Sequence, residues 1–388
     1  MLLWLQRTFV ALFAAALLIV SSDAAAAISI PSNIWVKQPT PSQVGLSGFS
    51  GQFQARGWNR MMYDPLGKRL ILFDGYMDAS RPYNIYANAL WTYDPLANRI
   101  SLEKVSNWAR INGITTALPA NTTDPTPFDR HSYACIAFVP EKNEVVMWGG
   151  ANSSIPNDYV GDTWIYSFAT KAWHQATGTT HPFNVFEQTS TYDPNTHRFV
   201  VFGGATSSYG SGTSAWLFDV NTELWEQATT ASTPAARMSQ SMVFDSMRRV
   251  SYVFGGGTVY PNPGNEMWAF DASARVWSQV SPQNSPPPVR RFASMAYDSK
   301  HDLVMLWGGT NNTTPLTDTW LYRPSTRQWQ QVFPATSPPN LDMSNEDLIY
   351  DPDNDVFILH MNGDFWLYRY ASSSDAIAPG DVSDLRIR

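Results

Sequence analysis

The apolar positions of this chain fall into short runs separated by tight polar turns, and the same order of runs returns six times. The unit from Ala236 to Val280 shows the plan. A first stretch, Met238–Phe244, closes on Asp245-Ser246-Met247-Arg248. A nearly continuous apolar run, Val250–Phe254, ends in Gly255-Gly256-Gly257. Glu266–Phe270 then turns at Asp271-Ala272-Ser273 into Val276–Val280. Period-two alternation predicts a strand with one buried face, and a continuous run predicts a strand covered on both faces. Each unit reads as four strands, a to d. The b strands Val145–Trp148, Phe199–Phe202 and Leu303–Trp307 are the continuous type.

Landmarks fix the period. Glycine steps end the b strands at Gly149-Gly150, Gly203-Gly204, Gly255-Gly256 and Gly308-Gly309, with Asp74-Gly75 and Asn362-Gly363 as weaker forms. From Gly75 to Gly363 the separations are 75, 54, 52, 53 and 54 residues. A period near 50 belongs to propellers and solenoid arrays. Tryptophans recur nine residues apart in strands c and d: Trp164/Trp173, Trp216/Trp225, Trp268/Trp277 and Trp320/Trp329. Trp91 has Ile100 at that distance, and Trp366 has no downstream partner. These rings are read as core packing units. Asp64-Pro65, Asp193-Pro194 and Asp351-Pro352 mark a–b turns and Asp94-Pro95 a c–d turn, because proline presets φ and the aspartate bonds the turn backbone.

The last unit supplies strands a, b and c and lacks d. Ile34-Trp35-Val36-Lys37, ahead of the first complete strand a, is an orphan strand carrying the missing tryptophan. The N-terminal strand is therefore expected to complete the last sheet and close a ring, which leaves no free ends to the sheet stack. An early arginine in strand a, an apolar strand b ending in Gly-Gly, an aromatic-Asp turn and a tryptophan together resemble the kelch repeat, in which each unit forms one propeller blade. The resemblance runs from about Asn33 to Tyr370. Its arginine maps to Arg56, Arg130, Arg237 and Arg290. The third unit departs with Phe186-Glu187, and the sixth with Met343 and Asn345-Glu346-Asp347. The expected fold is an all-β, six-bladed kelch-type propeller over residues 32–370.

The two ends read differently. Arg7, the apolar stretch Thr8–Val20 and the small residues Ser21–Ala27 form a secretory signal peptide over residues 1–27, too short in its apolar part to span a bilayer comfortably. The mature chain is expected to be secreted or periplasmic, with no membrane span. Residues 371–388 read as a linker and the start of a fibronectin type III-like module. Charged residues are sparse at 15% and the net charge is −7, which disfavours nucleic acid as a partner. The single cysteine, Cys135, excludes an intrachain disulfide.

Two places are candidates for binding. Early strand-a residues are expected at the channel mouth: Arg56, Arg130, His131, Glu187, Arg237, Arg290, Arg291 and Glu346. The long b–c and d–a connections share one rim and carry Tyr83, Trp108, Tyr159, Tyr209 and Tyr260, rings suited to sugars or peptide side chains. One reading is a non-enzymatic module that binds an extracellular protein or glycan on this rim. The other is a carbohydrate-active enzyme, such as a sugar-acid epimerase or mutarotase, with Glu187 or His131 moving a proton and Arg237 or Arg290 holding a carboxylate. The resemblance also reaches the galactose oxidase family, whose copper site needs a cross-linked Cys and Tyr and a Tyr beside a His. Cys135 and Tyr133 are present, but no Tyr-His dipeptide occurs. The six histidines lack zinc-ligand spacing, and Asp351-Pro352-Asp353-Asn354-Asp355 lacks the glycine and glutamate of a calcium loop. No cofactor or metal is expected.

Overall fold

Five of the six a–b hairpins turn on a buried aspartate, and the second turns through a short 3-10 segment, Pro140–Lys142. Oδ1 of Asp64, Asp245, Asp298 and Asp351 accepts two successive backbone N–H groups of its turn, at 2.9–3.1 Å. The last turn residue (Lys68, His197, Arg249, Asp302 or Asp355) takes a left-handed φ between 50° and 58°, which brings the chain back in register. Asp351 is thus a turn cap, and the run after it is an ordinary hairpin.

The computed structural model describes residues 27–44, 60–73, 89–104, 108–111, 114–117, 125–127, 130–132, 134–152, 158–178, 180–182, 186–205, 212–257, 263–339, 347–361 and 363–372. The leader up to residue 26, Arg56, Tyr83, Tyr209, Tyr260, Glu346 and the tail after Ser372 lie outside them.

Six blade sheets, each with four antiparallel strands and the first with a fifth strand added, follow in chain order, each opened by its innermost strand: Arg60–Asp64, Ile136–Val139, Thr189–Asp193, Ser241–Asp245, Ser294–Asp298 and Asp347–Asp351. Each innermost strand touches those of its two neighbours, and Asp347–Asp351 touches Arg60–Asp64, so the sheets form a closed six-bladed ring. The second strands of blades 5 and 6, Leu303–Trp307 and Val356–Met361, are buried along their whole length, and those of blades 1 to 4 in all but the half-buried first residue, as continuous apolar runs demand.

The last blade takes its outer strand from the other end of the chain. Trp35–Lys37 pairs antiparallel with Asp364–Tyr368, placing Trp35 opposite Tyr368 and Lys37 opposite Trp366. Trp35 repeats the chemistry of the outer-strand tryptophans. Trp225 Nε1 donates to Thr163 Oγ1 of the preceding blade at 2.8 Å, and Trp35 Nε1 donates to Thr319 Oγ1 of its preceding blade at 3.2 Å. Where that threonine is replaced, by Ala215 before Trp277 and by Met267 before Trp329, the buried indole has no partner. Blade 1 has Ile100 instead of tryptophan. The space is filled from blade 6, where Phe365 stacks on Tyr93 at 3.9 Å.

The N-terminal segment is used beyond this strand. Arg369 donates to the carbonyls of Ile28 and Ile30. Ser42–Val44 runs on to pair in parallel with the outer strand of blade 1, making it five-stranded. That extra strand was not legible in the sequence, because Ser-Gln-Val carries no strand pattern of its own. The inner-layer tryptophans also divide: Trp91 and Trp164 are buried, whereas Trp216, Trp268, Trp320 and Trp366 are half-buried.

Removing the Trp35 ring deletes both a large buried surface and the cross-blade bond. Trp35→Ala is expected to cost about 3–5 kcal/mol, read as a lower urea midpoint. Thr319→Val is expected to cost about 1 kcal/mol in the native chain and close to nothing when Trp35 is already phenylalanine. An unchanged midpoint in Trp35→Ala would show that the ring holds without this strand.

Candidate functional site

The repeat arginines are consumed inside the blades. Arg290 sits fully buried. Its Nε donates to Pro288 O at 3.1 Å and Nη1 to Gly308 O at 2.9 Å, and its two terminal nitrogens grip Asp318 at 2.7 and 2.8 Å. Arg237 makes a similar set, donating to Ala235 O and Gly255 O and reaching Glu266 through Nη2 alone at 2.7 Å, and Arg130 bonds Gly149 and grips Asp162 with both terminal nitrogens. The indole two residues after each acid completes the set: Trp164, Trp268 and Trp320 donate to Asp162, Glu266 and Asp318 at 2.7, 3.3 and 2.6 Å. This latch ties the entry of strand a to the b–c connection of its own blade.

Burial alone would raise the carboxyls of Asp162 and Asp318. The hydrogen-bonded guanidinium overrides it and holds both below the usual range, and Arg237 does the same for Glu266. Arg130, Arg237 and Arg290 are therefore not presented at an open channel mouth, contrary to the sequence expectation. Each guanidinium is committed to carbonyls and an acid of its own blade. Blade 3 has Ser214 where the acid stands elsewhere, and it accepts instead from Gln227 at 2.6 Å.

The glycine steps serve the latch. At Gly255 φ is 68°, and a Cβ there would lie 2.6 Å from Arg290 O of the next blade. Gly256 N donates to that same carbonyl at 3.0 Å. Only a residue without a side chain admits this approach.

The mouth itself is a backbone collar. Glu187, Ser239 and Phe292 occupy equivalent places in blades 3, 4 and 5 with φ of 55°, 60° and 58°. Ser239 N donates to Glu187 O and Phe292 N to Ser239 O, both at 2.9 Å. The Glu187 carboxylate accepts from Ser239 Oγ and feels the charge of Arg291. Burial outweighs both and raises its pKa. Arg291 lies over the Phe292 ring at 4.9 Å. Across the mouth, Arg60 pairs with the buried Asp347 at 3.2 Å, and Met61 N donates to the same carboxylate. Burial pushes Asp347 up to about 6. Cys135 lies under the mouth, where burial pushes its thiol far up against the opposing effects of Gln188, Arg60 and Ser190. Glu187 interacts here with Arg291 and with Ser239, and Arg60 and Asp347, the first residues of their strands, form a pair that sequence spacing does not announce.

His360 is the cross-strand partner of Asp347. The same place in other blades holds Phe73, Phe202, Phe254 and Trp307, opposite Arg60, Thr189, Ser241 and Ser294. A histidine among aromatics is a buried base, and burial lowers it to about 3.

The rim carries structure of its own. Arg130–His131, Ala151–Asn152 and Asp158–Tyr159 form a small sheet, and Trp108–Ile111 pairs with Ile114–Ala117. His131, Trp108 and Tyr159 thus sit on rim strands. Blade 6 is the exception to long b–c connections. Met361 pairs with Asp364, and Gly363 takes a φ of 82°, so strands b and c of this blade meet across a tight hairpin. On the opposite face Asp298, His301 and Asp355 gather within 4.8 Å. Their atoms are engaged: Asp298 caps its turn and takes His301 Nδ1 at 2.8 Å, and Lys300 Nζ sits on Asp355 at 2.5 Å.

Residues 60–258 match the family model described as the Attractin/LZTR1 beta-propeller, and residues 191–367 match that of the KLHDC2/KLHL20/DRC7 Kelch-repeats domain. Among curated proteins the chain is similar to Kelch domain-containing protein 10 of Xenopus tropicalis, at 26% identity over 268 residues covering 62% of each chain. It is also similar to Tip elongation aberrant protein 1 of Schizosaccharomyces pombe, at 25% identity over 56% of this chain and 18% of that protein. Kelch domain-containing protein 2 of Bos taurus is 27% identical over 32% of this chain and 30% of its own length. The chain spans less than two thirds of the length of these relatives.

Asp347 and His360 give opposite pH slopes. His360, lowered from 6.5 to about 3, binds fewer protons folded than unfolded, so its contribution is present above pH 6.5 and lost as pH falls toward 3. Asp347, raised from 3.8 to about 6, contributes stability below pH 3.8 that is lost as pH rises through 6. His360→Phe is expected to gain more stability over the native chain at pH 5 than at pH 8 in urea titrations. Asp347→Asn is expected to remove the decline between pH 4 and 6. Parallel pH curves for native chain and variants would contradict both assignments.

Proposed function

We propose that this chain, which belongs to the kelch-repeat β-propeller family, is an exported protein-binding module that engages its partner with the long-loop rim. The observation that carries this reading is the state of the hub charges. Arg237 and Arg290, the cations an epimerase would need to hold a substrate carboxylate, are each committed to an acid and buried carbonyls of their own blade. Glu187, the proton-transfer candidate, is capped by Ser239. What remains for contact is a rigid ring bearing connections of unequal length on one side, where recognition is ordinarily placed.

The matched relatives support the module reading at the level of the domain. Export rests on the leader pattern of residues 1–27, and a core of six stacked sheets supplies stability without disulfides. Among the described residues no helix is long and apolar enough to cross a membrane.

The mature chain secreted by its own host is expected to begin at Ile28, read by mass spectrometry. Immobilised, it is expected to retain a discrete protein partner from the host's extracytoplasmic fraction. Combined replacement of Tyr83, Tyr209 and Tyr260 by alanine should abolish that retention, whereas Met247→Ser on the turn face should leave it intact. Mutarotation of sialic acid by the native chain, lost in Glu187→Gln, would replace this reading with the enzymatic one.

A further inference from the structure

Blade 1 ends in two apolar points on the turn face, the side of the ring opposite the long-loop rim. Its a–b turn carries Leu66, 64% exposed, and its c–d turn carries Leu96, 49% exposed. Two strand spacings separate the turns, which sets the tips about 10 Å apart. The equivalent places hold Asn195 and Asn221 in blade 3, Met247 and Ser273 in blade 4, and Lys300 and Ser325 in blade 5. Among these blades only the first presents a large apolar side chain at both.

Both turns are firmly held. Asp64 Oδ1 accepts from Leu66 N and Gly67 N, and Asp94 Oδ1 accepts from Ala97 N, each at 2.9 Å. The N-terminal segment braces the second turn: Asn98 Nδ2 donates to Pro39 O at 2.9 Å, and Ser42 N donates to Asn98 O at 3.1 Å. Leucines on fixed turns cannot fold inward, and their exposure is a cost unless something apolar receives them.

A cation follows each leucine. Lys68 Nζ lies 3.6 Å from Asp353, and Arg99 Nη2 lies 3.6 Å from Asp94, both pairs being open to solvent. Exposed pairs of that kind hold their partners weakly, so each cation is able to turn to another anion. The first described residues of the chain lie on the same side. Arg369 donates to the carbonyls of Ile28 and Ile30 and to Asn354 O in the a–b turn of blade 6, and both isoleucines pack on the core between blades 6 and 1. Only residues 21–27 separate them in sequence from the apolar run Thr8–Val20.

Two convex tips match a protein poorly. An ordinary protein interface takes about 800 Å² from each partner, and a few turn residues do not supply it. A bilayer has no fixed shape to match. It receives apolar points in its interfacial layer and leaves flanking lysines and arginines at phosphate depth. A leader inserted in a bilayer would bring this same side to the surface. We propose that the turn face of blade 1 is a contact surface for anionic phospholipid bilayers, with Leu66 and Leu96 entering the interface and Lys68 and Arg99 meeting lipid phosphates. The rim is then turned away from the lipid and stays free for the protein partner, so the two readings stand independently.

Co-sedimentation of the mature chain with vesicles of phosphatidylcholine and phosphatidylglycerol in equal parts tests this. Reversible binding is expected at about 1 mM lipid, and about fivefold weaker binding to phosphatidylcholine alone. Leu66→Ser combined with Leu96→Ser is expected to weaken binding about tenfold, with an unchanged urea midpoint because both side chains are exposed. Lys68→Gln combined with Arg99→Gln should abolish the preference for phosphatidylglycerol. Met247→Ser, which removes an exposed tip on blade 4, should bind like the native chain. Failure of the native chain to sediment at about 1 mM lipid, equal binding by the leucine variant, or equal weakening in Met247→Ser would each overturn the assignment. So would loss of the rim-retained protein partner in the leucine variant, which would give the two tips to a protein contact instead.

Discussion

Everything in this ring depends on a strand of three residues. The other five blades are each folded from a continuous stretch of chain and can form locally. Blade 6 cannot, because its outer strand, Trp35–Lys37, arrives from more than 300 residues away in sequence. Until it arrives, the hydrophobic face of Tyr368 and the preceding blade is open. The cost of bringing the ends together grows only slowly with the length of chain between them. One well-filled contact is therefore enough, provided it is specific. Specificity comes from the ring of Trp35 against Tyr368 and from its indole bond to Thr319, the same bond that joins blades 2 and 3 through Trp225. The closure is an ordinary blade junction made with a distant piece of chain. Arg369 and the parallel Ser42–Val44 strand then secure it from both sides.

The second constraint is electrostatic. Buried ion pairs are weak sources of net stability, because desolvation consumes most of the attraction. The arginine latch is better understood as a positioning device. Each guanidinium fixes a carbonyl at the end of strand b, an acid before strand c and the chain entering strand a. That constellation holds the root of the rim connections in one place. An isolated arginine there would be costly, and so would an isolated acid. Blade 3 has lost the acid to Ser214, and Gln227 occupies that serine. The two halves of the latch are meaningful only together, which accounts for acid and arginine coinciding in blades 2, 4 and 5.

Much of this was legible in the sequence, and the parts that were not have identifiable causes. Hairpins, blade count and the role of Trp35 follow from local signals: Asp-Pro turns, apolar runs and an unpaired tryptophan. The arginines were correctly placed early in strand a but wrongly aimed at the channel. Their partners, Asp162, Glu266 and Asp318, lie some thirty residues downstream, and sequence spacing alone does not say which way a guanidinium points. Asn362-Gly363 looked like a degraded glycine step because it falls at the right period, yet Asn-Gly is equally the signal for a two-residue hairpin. Arg60 and Asp347 are not legible as a pair because their meaning arises only across the blade 6 to blade 1 junction, where the two first residues meet.

That junction is also where the ring departs most from its own repeat. Blade 6 has a tight turn where the others have long connections, a histidine where they have Phe or Trp, and a carboxylate as its first strand residue. A buried carboxyl raised by burial and a buried imidazole lowered by it sit opposite one another, so each is held toward its neutral form. Two neutral groups cost far less to bury than one charge. Their juxtaposition lets polar side chains occupy the place of an apolar pair without an uncompensated ion. The Arg60 guanidinium beside Asp347 pulls the other way, favouring the carboxylate. The protonation of Asp347 is thus set by a contest between burial within blade 6 and a cation supplied by blade 1. Closing the ring is what brings those two opponents together.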